Sequence, residues 1–231
     1  MEQSSSSSNV GLIAGVIAVA ILIFGGLTWA ILSAPSGGSP VSGGKATFND
    51  NASTPFVGPA TAAVTVHIYG DFQCPACKAA EPGLEAAMAQ FKDRVKFVWK
   101  DFPLSTIHRH AREAANAARC AEDQNKFWEM HNLLYVQQDS WVAQADPAAS
   151  FTAYAGQLGL DVNAFNACYS SKQNDDKVAA DISEGNGNGV NATPTFYVND
   201  DQYVGMDPSQ WSNILNAALA KASTASSSTN P

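Results

Sequence analysis

Basic side chains are scarce in this chain, with 13 Lys and Arg against 21 Asp and Glu and a formal net charge of −8. That balance argues against a nucleic-acid binder, which needs a basic surface to meet phosphates. The few bases are also unevenly placed. None precedes Lys45, and after Lys126 only Lys172, Lys177 and Lys221 remain. The second half is therefore expected to present an acidic surface, for which solubility is the plain explanation. The tail, Met1-Glu2-Gln3 and a serine run, lacks the basic n-region of a signal peptide. For the same reason the positive-inside rule has nothing to act on. His108 and His110 do not form the His-x3–5-His spacing of a zinc site, and no internal repeat is visible.

What is present begins with Val10 to Leu32, an uncharged and mostly apolar stretch of 23 residues. At about 1.5 Å per residue it is long enough for a hydrocarbon core of about 30 Å. A cleaved leader has a shorter core and a basic flank, and a cut after Ala34 would place Pro35 beside it. A retained single-pass anchor over 10–33, behind a short tail at 1–9, is the expectation. Residues 34–55, rich in Gly, Ser and Pro, read as a flexible linker, and the Ser/Thr-rich tail at 223–231 reads as disordered. Four cysteines in a chain that reaches the membrane fit disulfides on its oxidising side. That orientation puts the N-terminus in the cytoplasm and the domain outside it.

Cys74-Pro75-Ala76-Cys77 follows closely on the β-branched run Ala63-Val64-Thr65-Val66-His67-Ile68-Tyr69 and precedes a helix-like stretch. Two cysteines three apart at a strand-to-helix junction are the mark of a redox site. A thiolate at Cys74 would face the unpaired N–H groups and positive end of the helix, which lower a cysteine pKa from about 8.5 toward roughly 3.5–7.5. Pro75 suits the first helical turn. Cys74, at the helix end, is expected to be the solvent-facing sulfur that is attacked, and Cys77, one turn inside, can resolve a mixed disulfide on it. The rival, half a zinc site, lacks the second close pair of ligands.

Elsewhere the pattern alternates. A helix runs from Pro75 to about Phe91, with Pro82 expected to kink it. Val95 to Lys100 reads as a second strand, and Ile107 to about Glu184 is helical. Asp146-Pro147 reads as an N-cap followed by a first-turn proline, and Asp161 as the cap of the next helix. Thr195 to Val198, a turn at Asn199-Asp200-Asp201 and Gln202 to Val204 read as a hairpin. Asp207-Pro208 opens a last helix.

In this order the residues resemble the DsbA-like thiol:disulfide oxidoreductases, particularly their membrane-anchored members. The resemblance rests on Gly70-Asp71-Phe72-Gln73-Cys74-Pro75-Ala76-Cys77-Lys78, Trp99-Lys100-Asp101-Phe102-Pro103-Leu104, His110-Ala111-Arg112-Glu113-Ala114-Ala115, Lys126-Phe127-Trp128-Glu129-Met130-His131 and Thr193-Pro194-Thr195-Phe196. It implies an α/β thioredoxin fold over 56–222 with a helical insertion at about 105–188, preceded by the single transmembrane helix. It also implies a cis Thr193–Pro194 bond beside the cysteines, against the alternative of an ordinary trans proline opening a strand. The backbone of Thr193 would then pair with an extended client peptide, with Pro75, Ala76, Thr193 and Pro194 shaping the site. Cys120 and Cys168 look like a structural disulfide, the alternative being two buried free thiols. The buried glutamate that many members carry six residues before the first cysteine is replaced here by Ile68. Either the proton relay is absent or another group serves.

His108, His110 and His131 read as fold-supporting or surface residues. The function implied is a tethered extracytoplasmic oxidase passing the Cys74–Cys77 disulfide to reduced exported client proteins. A quinone-linked membrane partner of the DsbB or vitamin-K-epoxide-reductase type would reoxidise it. No metal or organic cofactor is implied. The same site could run in reverse as a reductase or isomerase, and a non-catalytic peptide-binding module is the rival from another class.

Overall fold

The computed structural model describes residues 45–228, with side chains through Ala225. The expected span at Val10–Leu32 and the first part of the linker lie outside the described residues. Among the described residues no helix is long and apolar enough to cross a membrane.

Among the described residues five strands form one sheet in the order β1-β3-β2-β4-β5, where β1 is Phe56–Val57, β2 Val64–Gly70, β3 Val95–Asp101, β4 Thr195–Val198 and β5 Asp201–Val204. β2 and β3 run parallel, from Val64 opposite Val95 to Gly70 opposite Asp101, and helix α1 (Pro75–Phe91) connects them. That pairing demands the crossover, because a tight turn can join only antiparallel strands. β4 lies antiparallel to β2 and to β5, so the central strand is enclosed on both edges. Its apolar side chains divide by the two-residue period. Val64, Val66 and Ile68 join the main core with Leu84 and Phe91 of α1, while Tyr69 packs with Phe102 and Tyr197 in a second, smaller core. Gly70 ends β2 where a Cβ would stand 2.1 Å from the Trp99 ring, so only glycine fits beside that indole.

The helical stretch between β3 and β4 resolves into α2 (Ala111–Glu122), α3 (Phe127–Val136), α4 (Gln138–Val142), α5 (Ala148–Gln157), α6 (Val162–Ser171) and α7 (Asp175–Gly187). Helix α8 (Trp211–Ser228) closes the domain after a 3-10 turn at Pro208–Gln210. The expected caps sit close to their places. Asp161 accepts from the N–H groups of Asn163 and Ala164 at 2.9 and 3.0 Å, and Asp207 accepts from Ser209 N–H at 2.8 Å. α5 opens one residue later than expected: Pro147 takes the cap position and Asp146 accepts from Ala148 N–H at 2.9 Å. α1 continues through Pro82 as one helix.

Two boundaries move. Residues 45–55, expected as the end of the flexible linker, are laid along the domain as a strap. Phe48 stacks on His67 with ring centroids 3.6 Å apart, and Asn188 Nδ2 donates to the Thr47 carbonyl at 2.9 Å. Asp50 reaches His67 and Lys96 at 3.2 Å each and Lys100 at 3.3 Å. Burial opposes ionisation of Asp50, but His67, Lys100 and Lys96 together hold it well below the usual carboxylate range. Composition hid these anchors among small polar residues. At the other end, α8 carries the backbone through Ser228, so the expected disordered tail starts helical.

Beneath the strap lies a buried ionic cluster. Arg119 of α2, 2 % exposed, donates to Asp101 of β3 and Asp181 of α7 at 2.6 Å each, and to Glu122 at 3.1 Å. Lys100 sits between Asp50, Asp181 and Glu184 at 3.3, 3.6 and 3.0 Å. These contacts tie strap, sheet and insertion together through charges that need one another once desolvated.

Candidate active site

Cys74 is the N-cap of α1, with extended backbone (φ −70°, ψ 123°) and Pro75 at the first helical position. The helix begins there because a proline continues it without wanting the missing N–H. The turn leading in is fixed on both sides. Cys74 N–H donates to the Asp71 carbonyl at 3.0 Å, and the buried Gln138 amide donates to the carbonyls of Phe72 and Cys74 at 2.8 and 3.1 Å.

Asp71 is the hub of this turn. Its carboxylate accepts from Gln73 N–H at 2.7 Å and Leu104 N–H at 2.9 Å, and it meets His108 Nδ1 at 2.7 Å. His110 donates its backbone N–H to Gln73 Oε1 at 2.7 Å, while its ring lies 2.7 Å from Glu113 and 3.0 Å from the Gln144 carbonyl. Both histidines thus hold loops in place, as expected. His131 is buried in α3 among Phe72, Trp99 and Tyr135, and burial lowers its pKa to about 4.

The two sulfurs differ sharply. The Cys77 thiol, donating to Cys74, is the largest influence lowering the Cys74 pKa to about 5. Desolvation opposes it, while the Thr193 hydroxyl and the backbone N–H groups of Cys77 and Ala76 add to it. Those amides are unpaired donors of a helix N-terminus, which favour a thiolate. Burial first, then Cys74 itself, pushes the Cys77 thiol well up. Cys74 is 6 % exposed and Cys77 2 %, while Pro75 and Ala76 are exposed. The expectation of a solvent-facing Cys74 is therefore corrected to a narrow opening, because the turn and Thr193 cover most of the sulfur.

The Thr193–Pro194 bond is cis. Cys74 Sγ, as a thiol, donates to the Thr193 carbonyl at 3.4 Å. Cys74, Cys77, Pro75, Ala76, Thr193 and Pro194 thus converge on one place. Cys120 of α2 and Cys168 of α6 are joined as a disulfide with Cα atoms 5.8 Å apart, clear of Cys74 and Cys77, which are free thiols. Closing a loop of 48 residues stabilises by about 4 kcal/mol on the chain-entropy model.

Sequence reading missed Asp71 as the hub, Gln138 as the clamp on the turn, and two further buried groups. Tyr135 donates its hydroxyl to the Asp71 carbonyl at 3.2 Å and also contacts Cys77, and Glu81 is buried on α1. Asp71 stood inside the quoted motif, and Glu81 was visible as a charge four residues after Cys77 on the buried stripe. Nothing local pointed to Gln138 or Tyr135.

Comparison with known proteins agrees with this architecture. The family model described as Thioredoxin matches residues 50–217. Among solved structures, oxidised BdbD from Bacillus subtilis superposes with a TM-score of 0.67 at 22 % identity, covering 79 % of this chain and all of that one. Wolbachia pipientis alpha-DsbA1 gives 0.67 at 20 %, covering 76 % and 95 %. Among curated sequences, Na(+)/H(+) antiporter NhaA 1 of Salinispora arenicola is 39 % identical over 142 residues, which is 62 % of this chain and 21 % of that protein. NhaA 1 of Mycolicibacterium gilvum is 34 % identical over 149 residues, 62 % and 23 % respectively. The chain spans about a fifth of the length of these curated relatives.

Proposed function

The chain belongs to the thioredoxin family, and on that premise we propose that it is a DsbA-type thiol:disulfide oxidoreductase that oxidises client proteins outside the cytoplasm. The observation that carries this reading is the placement of the two sulfurs, Cys74 as the N-cap of α1 beside the Thr193 carbonyl and Cys77 more deeply buried on the same turn, which lowers the first thiol to about 5 and raises the second. A stabilised Cys74 thiolate favours the reduced dithiol, which makes the disulfide form a stronger oxidant. A client thiolate attacks Cys74 Sγ, and the Cys74–Cys77 bond breaks with its electron pair on Cys77. A second client thiolate then attacks the client sulfur and expels Cys74 as a thiolate. Two electrons pass from client to protein, and the client leaves as a disulfide. The Thr193 edge would receive the extended client.

Val10–Leu32 would tether the domain on the outer face of a bacterial or archaeal membrane, where a quinone-linked partner of the DsbB or vitamin-K-epoxide-reductase type would remove the electrons. The antiporter activity named for the sequence relatives is not proposed for this chain, which spans only a fifth of their length.

Equilibration of Cys74–Cys77 with glutathione tests the direction. The potential is expected nearer about −120 mV than about −270 mV, the range set by strong oxidants and thioredoxin-type reductants. A value at the thioredoxin end would favour the reductase reading.

A further inference from the structure

Glutamine is a residue type usually left in water, yet Gln138 is 3 % exposed at the start of α4. A buried amide costs free energy unless its polar atoms are matched. Gln138 spends its Nε2 donors on one target, the turn that carries Cys74. It donates to the Phe72 carbonyl at 2.8 Å and to the Cys74 carbonyl at 3.1 Å. The bend between α3 and α4 aims the side chain there. Gln137 N–H donates to the Leu133 carbonyl at 2.9 Å, and the buried Trp141 indole donates to the Leu134 carbonyl at 2.8 Å. α4 meets α1 again where Lys78 Nζ lies 2.8 Å from Asp139, but Asp139 is exposed and such a pair contributes little.

Both ends of Cys74 are thereby held. Its N–H donates to the Asp71 carbonyl at 3.0 Å, which restrains φ. Its C=O accepts from Lys78 N–H at 3.1 Å and from Gln138, which restrains ψ. The Lys78 bond belongs to the first turn of α1, and helix ends fray. Gln138 is the donor on that carbonyl that comes from outside α1. The Cys77 thiol and the N–H groups of Cys77 and Ala76 favour the Cys74 thiolate. Rotation about the Cys74 Cα–C bond would swing the sulfur away from those amide donors of the helix N-terminus.

We propose that Gln138 is a positioning residue for Cys74, through which the helical insertion locks the attacked cysteine in its extended N-cap conformation. This role rests on the oxidoreductase reading above, and it makes the insertion a working part of the redox site. Without the amide, Cys74 samples other ψ values, its donors lose their aim, and the reduced dithiol is favoured less.

Gln138→Met keeps the length of the side chain and removes both donors. Absorbance titration of the reduced full chain is expected to show the Cys74 thiolate midpoint raised by about one unit, roughly a tenfold loss of thiolate preference. Equilibration with glutathione should shift about tenfold toward the protein disulfide, about 30 mV for a two-electron couple. Gln138→Leu should give the same two shifts despite its different shape, and it decides by the same readings should Gln138→Met fail to fold. Arg119→Leu, whose damage lies in the buried ionic cluster, should lower thermal stability and leave both readings unmoved. An unchanged midpoint and equilibrium in the Gln138 variants would overturn the role. An equal shift in Arg119→Leu would also overturn it, since general loosening would then move the sulfur. A parent chain that exchanges no thiols with glutathione would overturn the oxidoreductase reading instead, while the titration would still judge Gln138.

Discussion

Cys74→Ala is expected to abolish thiol exchange, whereas Cys77→Ala is expected to accumulate mixed disulfides with clients through Cys74. The asymmetry follows from placement on one helix turn. Cys74 caps α1, where amide donors and the Cys77 thiol favour its thiolate, while Cys77 lies deeper and is held protonated by burial. An attacking thiolate reaches only the sulfur at the opening, and without Cys77 nothing internal resolves the adduct. Non-reducing electrophoresis followed by mass mapping of the trapped peptide checks this. Adducts in Cys74→Ala but not in Cys77→Ala would reverse the assignment.

A second large effect is expected far from the sulfurs. Arg119→Leu removes the cation between Asp101 and Asp181, each 2.6 Å from the guanidinium, and strands both carboxylates in a buried site. Breaking such a pair from one side destabilises by about 3–5 kcal/mol. For a domain of this size that lowers the thermal midpoint by about 10 °C. Burial already raises the Asp181 pKa, with Asp101 adding to the rise and Arg119 opposing it. Losing Arg119 lifts Asp181 further, so the folded variant binds a proton that the unfolded chain releases. Its deficit should therefore grow as pH rises and shrink as pH falls. Denaturant melts of parent and variant at several pH values check both magnitude and sign, and equal stability throughout would contradict the role assigned to the cluster.

The parts of this molecule visible in the sequence are those that depend on near neighbours. Cys74-Pro75-Ala76-Cys77 announces its strand-to-helix junction within four residues, and Asp161 and Asp207 cap the elements they precede. The turn after β4 is equally local, with Asn199 taking a positive φ of 53°. What stayed hidden depends on distant contacts. Arg119 looks like a surface charge in an alanine-rich helix until β3 and α7 close on it. Phe48 and Asp50 look like linker until His67 and Lys100 supply their partners. The depth of Cys74 is set by Thr193, which is 119 residues away.

The account turns on the charge state of Cys74, and absorbance titration of the reduced thiols measures it directly. One thiolate is predicted to appear with a midpoint near the value of about 5 given by its surroundings. Because the folded pKa lies below that of the unfolded chain, this group stabilises the reduced protein fully only above the unfolded value, about 8.5. Its contribution is lost as pH falls through about 5. The same titration of Cys74→Ala should show no thiolate in that acidic range. A wild-type midpoint near about 8.5, the value of a free cysteine, would contradict the account.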